Sequence, residues 1–185
     1  MKHFLTVMLV SCFSGCAAGG GTHHDEQSHA HEGHSPVPTI INADEGEKLM
    51  MLGGRYVLLK ATAESSGAKE LFMGSEALPP GSAIPVHSHD GYEEIIFIHK
   101  GNAQLTLGEE TVVAEPGTTM FIPPGTWHGV AAHGDEEATM LFIFPEPDIA
   151  EFFRRVGFKE GDPPPSLTAE DWAEIMQRHQ MRARD

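Results

Sequence analysis

The sequence predicts an all-β fold: a small barrel of short strands, with two short helices at its C-terminal end. Three observations carry this expectation. Between residues 40 and 144, β-branched and aromatic runs are broken about every 8 to 12 residues by Gly, Pro or acidic turns, which indicates a sandwich or small barrel rather than βαβ units. Several runs are apolar on both faces: Ile96 and Ile98 share one face, Ile95 and Phe97 the other. Past Phe144 the apolar period becomes helical, with Ile149, Phe152, Phe153 and Val156 on one stripe. At 185 residues the chain has room for one ordinary domain.

In chain order, residues 1–15 read as a secretory signal, with Lys2 at a basic tip, an apolar run over 4–10, and Ser14 and Gly15 before Cys16. The run is far shorter than a membrane span requires. Its end resembles a bacterial lipoprotein signal. That implies a lipid on Cys16, export to the cell envelope facing the periplasm, and membrane association through that lipid alone; an ordinary signal cut nearby is the plainer alternative. Residues 16–38 form a tether that holds five of the 12 His and almost no apolar side chains, so it cannot bury enough surface to fold by itself. Its dense imidazoles and carboxylates suit metal scavenging, and its composition equally suits a solvated spacer.

The barrel is expected over residues 39–147, with candidate strands at 48–52, 56–62, 70–75, 83–87, 93–99, 103–107, 110–113, 119–122, 129–132 and 137–144. Gly108 and Glu109 supply one tight hairpin. One apolar strand face fills the barrel. The other needs cover, from the N-terminal strands or a second copy, and a homodimer is the expectation. Pro145 and Pro147 end the sheet, and residues 148–185 form a helical extension. Asp148 and Glu151 read as a capping box, and Thr168 caps a last helix carrying Trp172, Ala173, Met176 and His179 on one side. These stripes are expected to pack on the barrel, with a lid over its mouth as the alternative.

Lys plus Arg number 12 against 27 Asp plus Glu, a formal charge of −15, and no basic cluster offsets it. Such a surface repels phosphate backbones, so no nucleic-acid partner is expected. The two cysteines, Cys12 and Cys16, both lie near the N-terminus, which leaves the barrel without a disulfide or thiolate site. Chemistry must therefore use His, carboxylates or hydroxyls.

His87, His89, Glu94 and His128 form the candidate metal site. His87 and His89 are two apart in an extended run, so both leave one face, and Glu94 opens the next strand after the Asp90-Gly91 turn. Three neutral imidazoles and a carboxylate form a ligand set of borderline softness. It suits one divalent transition metal (Fe, Mn, Ni, Cu or Zn) and disfavours Ca or Mg. Four ligands leave open positions for a small-molecule substrate. Gly81 and Gly125 are expected where a Cβ would clash, and Pro123-Pro124 stiffens the approach to His128.

Written out, Gly81-(x)5-His87-x-His89-(x)4-Glu94-(x)6-Gly101 resembles the first conserved motif of the cupin superfamily. Gly117-(x)5-Pro123-x-Gly125-(x)2-His128 resembles the second. The departure is Ala132, where the family pattern has Asn. The resemblance is to single-domain type-2 cupins and implies a double-stranded β-helix, or jelly roll. It implies that His87, His89, Glu94 and His128 are metal ligands.

Cupins include dioxygenases, isomerases, decarboxylases and binding proteins, so the likeness does not fix a reaction. Its sharpest implication is a dioxygenase of the quercetin-cleaving type acting on a small oxygenated molecule. Glu94 would then serve as ligand or catalytic base, and Ile96, Ile98, Met120, Ile122 and Phe142 would wall a dry cavity. The alternatives are a non-redox isomerase or decarboxylase, and an envelope protein that binds metal or a small ligand without catalysis. Tyr92, Trp127, His99 and His133 are left outside the catalytic set.

Overall fold

A computed structural model describes residues 35–184, so the signal, Cys16 and the tether up to residue 34 lie outside the described residues. Among the described residues, eleven strands form two antiparallel sheets. The six-stranded sheet runs β1 (Glu47–Met50), β2 (Tyr56–Ala61), β3 (Phe72–Leu78), β10 (Ala138–Phe144), β5 (Glu94–Lys100), β8 (Thr119–Ile122). The five-stranded sheet runs β11 (Met181–Ala183), β4 (Ala83–His89), β9 (His128–His133), β6 (Asn102–Leu107), β7 (Glu110–Ala114). Helix α1 (Ala63–Ser66) lies between β2 and β3, and α2 (Ile149–Val156) and α3 (Ala169–Arg178) precede β11.

The core follows from strand alternation. Ile96 and Ile98 of β5, and Met140, Phe142 and Phe144 of β10, point inward and are buried. Phe72 of β3 is wholly buried and packs on Phe142, Phe144 and Phe153 at ring distances of 5.8, 6.3 and 5.9 Å. Phe153 comes from α2, so the helical stripe joins the barrel core.

The opposite face of the six-stranded sheet stays apolar. Ile95 is paired with Phe121 on one side and Ile143 on the other, and Phe97 with Leu141. Phe121 is 52% and Ile95 38% exposed. The N-terminal strands do not cover this face, because β1 and β2 extend the sheet at its edge beyond β3.

The strands match the sequence reading, with ends shifted by a few residues. Four differences matter. Thr62 ends no strand but caps α1, with Ser65 completing the box. The expected box at Asp148 does not form: Asp148 already has helical angles, φ −71 and ψ −8, and Glu151 accepts from Arg178 at 2.5 Å instead. Thr168 and Asp171 do form a box, and the buried side of α3 is carried by Ile175, next to His179, while Ala173 is exposed. Strand β11 was not anticipated.

Candidate metal centre

Strand β4 presents His87 and His89 at successive inward positions, with Ser88 between them on the other face. A register shift after Ile84 brings His87 opposite His128, the first residue of β9. Glu94 opens β5 in the other sheet, so the site draws on both layers. The Gly125 N–H donates to the His89 carbonyl at 2.6 Å and ties the Pro123–Gly125 turn to β4 just before β9 begins. Gly81 and Gly125 adopt φ +79 and +75, yet a Cβ would have no neighbour within 4 Å at the first and only Arg182 Nη2 at 4.0 Å at the second. Left-handed backbone, not the clash expected from sequence, is what calls for glycine there. The clash falls at Gly101, where a Cβ would strike the Glu137 carbonyl oxygen and lie 2.9 Å from Ala138 Cα.

One ligand atom from each of His87, His89, Glu94 and His128 lies within 4.8 Å of the other three, so the group can hold a metal ion. The rings of His87 and His128 are 4.2 Å apart, and those of His89 and His128 5.2 Å. His128 Nδ1 is 2.9 Å from the Thr126 carbonyl and His87 Nδ1 is 2.8 Å from that of Pro85. A carbonyl can only accept, so both Nδ1 atoms carry the proton and each neutral ring turns its Nε2 lone pair inward. His128 Nε2 then faces Glu94 Oε2 at 3.0 Å, and His89 Nε2 faces the same oxygen at 3.3 Å. His128 Nε2, both ring nitrogens of His89 and Glu94 Oε2 are buried without hydrogen-bond geometry among the described residues. Buried ring nitrogens and a carboxylate oxygen converging on one point suit a cation between them, and this ligand set fits one divalent transition metal.

Electrostatics keeps the set ready to bind. Burial, then the neighbouring His128 and His89, push His87 down to about 4, so it stays neutral at ordinary pH. Burial alone would raise Glu94; His128 and His89 pull the carboxyl down to about 2 only as hydrogen-bond donors, the place that a bound cation takes when both rings are neutral. Burial also pushes the Tyr92 phenol up, and its hydroxyl donates to the His179 carbonyl at 2.9 Å.

The four groups open onto a cavity of about 500 Å³. Ile96 and Phe142 line it as expected; Ile98, Met120 and Ile122 are core residues behind it. The C-terminal segment supplies much of the remaining wall through Ile149, Phe152, Phe153, Val156, Trp172 and Met176. The helical stripes therefore both pack on the barrel and close its interior. Strand β11 completes the enclosure, pairing Met181 with His89 and Ala183 with His87. Arg182 and Arg184 lie 5.3 and 5.5 Å from the Trp127 ring, and Arg182 pairs with Asp90 at 2.6 Å. His99 and His133 are exposed.

Two charged residues in this wall escaped the sequence reading. Arg55 and Glu76 form a buried ion pair lining the cavity, and Arg55 Nε donates to the Leu52 carbonyl at 3.2 Å. Burial pushes the Glu76 carboxyl up to about 7, against the pull of the Arg55 guanidinium. The signal was available. Phe72, Gly74, Glu76 and Leu78 share one face of a strand, and an acid in that series is buried beside a partner.

Residues 74–144 match the family model of the Cupin domain. Polyketide synthase CurC from Streptomyces cyaneus is 30% identical over 116 residues, 60% of this chain and 75% of the relative. Protein SchB from Streptomyces halstedii is 29% identical over 48% of this chain and 67% of its own. Among solved structures, KdgF from Halomonas sp. superposes with a TM-score of 0.54 at 18% identity, covering 62% of this chain and 99% of that one. A predicted oxalate decarboxylase from Thermotoga maritima gives 0.52 at 22% identity, covering 58% and 98%. At these identities the structural likeness shows the fold alone. With both motifs, the jelly-roll topology and the match over residues 74–144 in hand, the chain belongs to the cupin superfamily.

Proposed function

We propose that the chain is a mononuclear metalloenzyme of dioxygenase type, in which His87, His89, Glu94 and His128 hold one divalent transition metal beside a small oxygenated substrate. The observation that supports it most is the set of buried, unpartnered His and Glu94 atoms converging on a cavity whose lining is mostly apolar. Such an ion would supply Lewis-acid binding of an enolate or phenolate and, if redox-active, electron exchange with O2. His87, kept neutral, remains a ligand rather than a proton source. Glu94 serves as a ligand or, where it swings free of the metal, as the base that takes a proton from a substrate hydroxyl. The apolar walls exclude water and strengthen both contacts. The name of the Streptomyces cyaneus relative points towards polyketides, whose oxygen-rich skeletons agree with this substrate class.

Oxygen uptake tests the reading. Protein loaded with Fe, Mn, Ni or Cu is expected to consume O2 with 3-hydroxyflavone or a catechol. Metal-dependent turnover without O2 would replace this reading with the isomerase or decarboxylase one. Several ions bound with no turnover would favour a metal-binding envelope protein.

Export, a lipid on Cys16 and a periplasmic site belong to the same proposal, as does a homodimer. The apolar outer face around Ile95, Phe97, Phe121 and Ile143 is the surface a second copy would cover. Phe121→Glu, which places a charge at its exposed edge, is expected to convert the dimer to a monomer in sedimentation without lowering the melting temperature. An unchanged mass would remove this face as the interface.

A further inference from the structure

The cavity has a second polar pole, on elements other than those that carry the His/Glu94 cluster, with Glu94 still near enough for its charge to help raise the Glu76 carboxyl. Glu76 sits on β3, two strands across the sheet from Glu94 on β5, with Met140 and Phe142 of β10 between them on the cavity wall. It also lies four residues along β3 from Phe72, whose partner Phe144 ends the β10 ladder near the start of β5. Arg55 is 9% and Glu76 3% exposed. Arg55 uses Nε on the Leu52 carbonyl and Nη1 on Glu76 Oε1, while Nη2 and Glu76 Oε2 form no hydrogen bond among the described residues. A donor on Arg55 and an acceptor on Glu76 thus remain for a ligand on residues that wall the chamber, since neither atom is among the fully enclosed ones that lack a partner.

We propose that Arg55 and Glu76 form a second anchoring subsite that takes a hydroxyl at the far end of an aromatic ligand whose near end binds at the metal centre. This rests on the metalloenzyme reading and narrows its substrate class. A hydroxyl can accept from Arg55 Nη2 and donate to Glu76 Oε2 at once. A second carboxylate would meet the Glu76 oxygens, so dicarboxylates are disfavoured. An apolar body matches Ile96, Val130, Met140 and Phe142 between the poles, and about 500 Å³ is room for a ring system larger than a two-carbon acid. Because the subsite pairs a hydroxyl through buried polar groups, it discriminates strongly against the analogue that lacks it.

The test uses the full chain loaded with one equivalent of Zn(II), which is redox-inert, and fluorescence titration with 3-hydroxyflavone and 3,4′-dihydroxyflavone. The wild-type chain is expected to bind the 4′-hydroxylated probe at least about tenfold more tightly. Arg55→Met with Glu76→Leu replaces the ion pair by apolar side chains, a change that folded proteins tolerate, and is expected to bind both probes alike with Zn content unchanged. Arg55→Lys, which keeps the charge and loses the fork, should reduce the preference as well. Equal affinities in the wild-type chain overturn the inference whether or not the variants fold, and so does a preference that survives in the double variant. Failure to bind either probe overturns it together with its ligand class; one Zn per chain, lost on replacing His128, would leave the metal site standing. A clear hydroxyl preference without O2 uptake would sink the dioxygenase reading and leave the subsite intact.

Discussion

His128→Ala removes one bound divalent ion per chain, measured as the difference in metal content between wild-type and variant protein after dialysis. The expected affinity loss is at least about 100-fold, since altering even the outer partners of a metal ligand costs 10- to 100-fold. His128 is fully buried, and its Nε2 lies 3.0 Å from Glu94 Oε2. Alanine takes away a ligand and leaves the Glu94 carboxylate facing only His89 and His87. The fold should persist, because the β9 backbone pairing with β4 and β6 does not depend on the imidazole. A variant that keeps full metal content would end the four-ligand assignment. A variant that loses metal because it has unfolded is told apart by its circular dichroism.

Phe72→Ala is the largest stability loss expected in the barrel, about 3–5 kcal/mol by urea titration. Phe72 has no exposed surface and joins three other aromatic rings, two from β10 and one from α2. Its removal opens a void where barrel and C-terminal helix meet, and neither layer can collapse into it without disturbing strand pairing. Unlike His128→Ala, this change is expected to leave metal content at one ion per folded chain. A loss below about 1 kcal/mol would mean that α2 is only loosely seated on the barrel.

The ligand set was legible because its determinants are local. His87-x-His89 fixes one face by strand parity, and the Asp90-Gly91 turn returns the chain to Glu94 within a few residues. The strand pattern was legible for the same reason, since β-branched runs and turn residues sit next to one another in sequence. The Arg55–Glu76 pair was not, because it joins β3 to the segment before β2, and the expected strand over 70–75 stops three residues short of Leu78 and leaves Glu76 out. Strand β11 was not either. Met181, Arg182 and Ala183 have little intrinsic β preference, and they become a strand only because β4 offers them a row of backbone partners. The capping box at Asp148 misled because the motif ignores tertiary competition for Glu151 from Arg178.

The match to the cupin domain begins at Gly74 and stops at Phe144, whereas β2 pairs with β3 and β11 pairs with β4 from outside those limits. Excising the matched piece would therefore strip one flank from each of two strands, baring rows of amide and carbonyl groups along β3 and, on β4, beside His87 and His89. Such flanks template intermolecular β-pairing, so the minimal fragment is a precursor of aggregates rather than a smaller version of the protein.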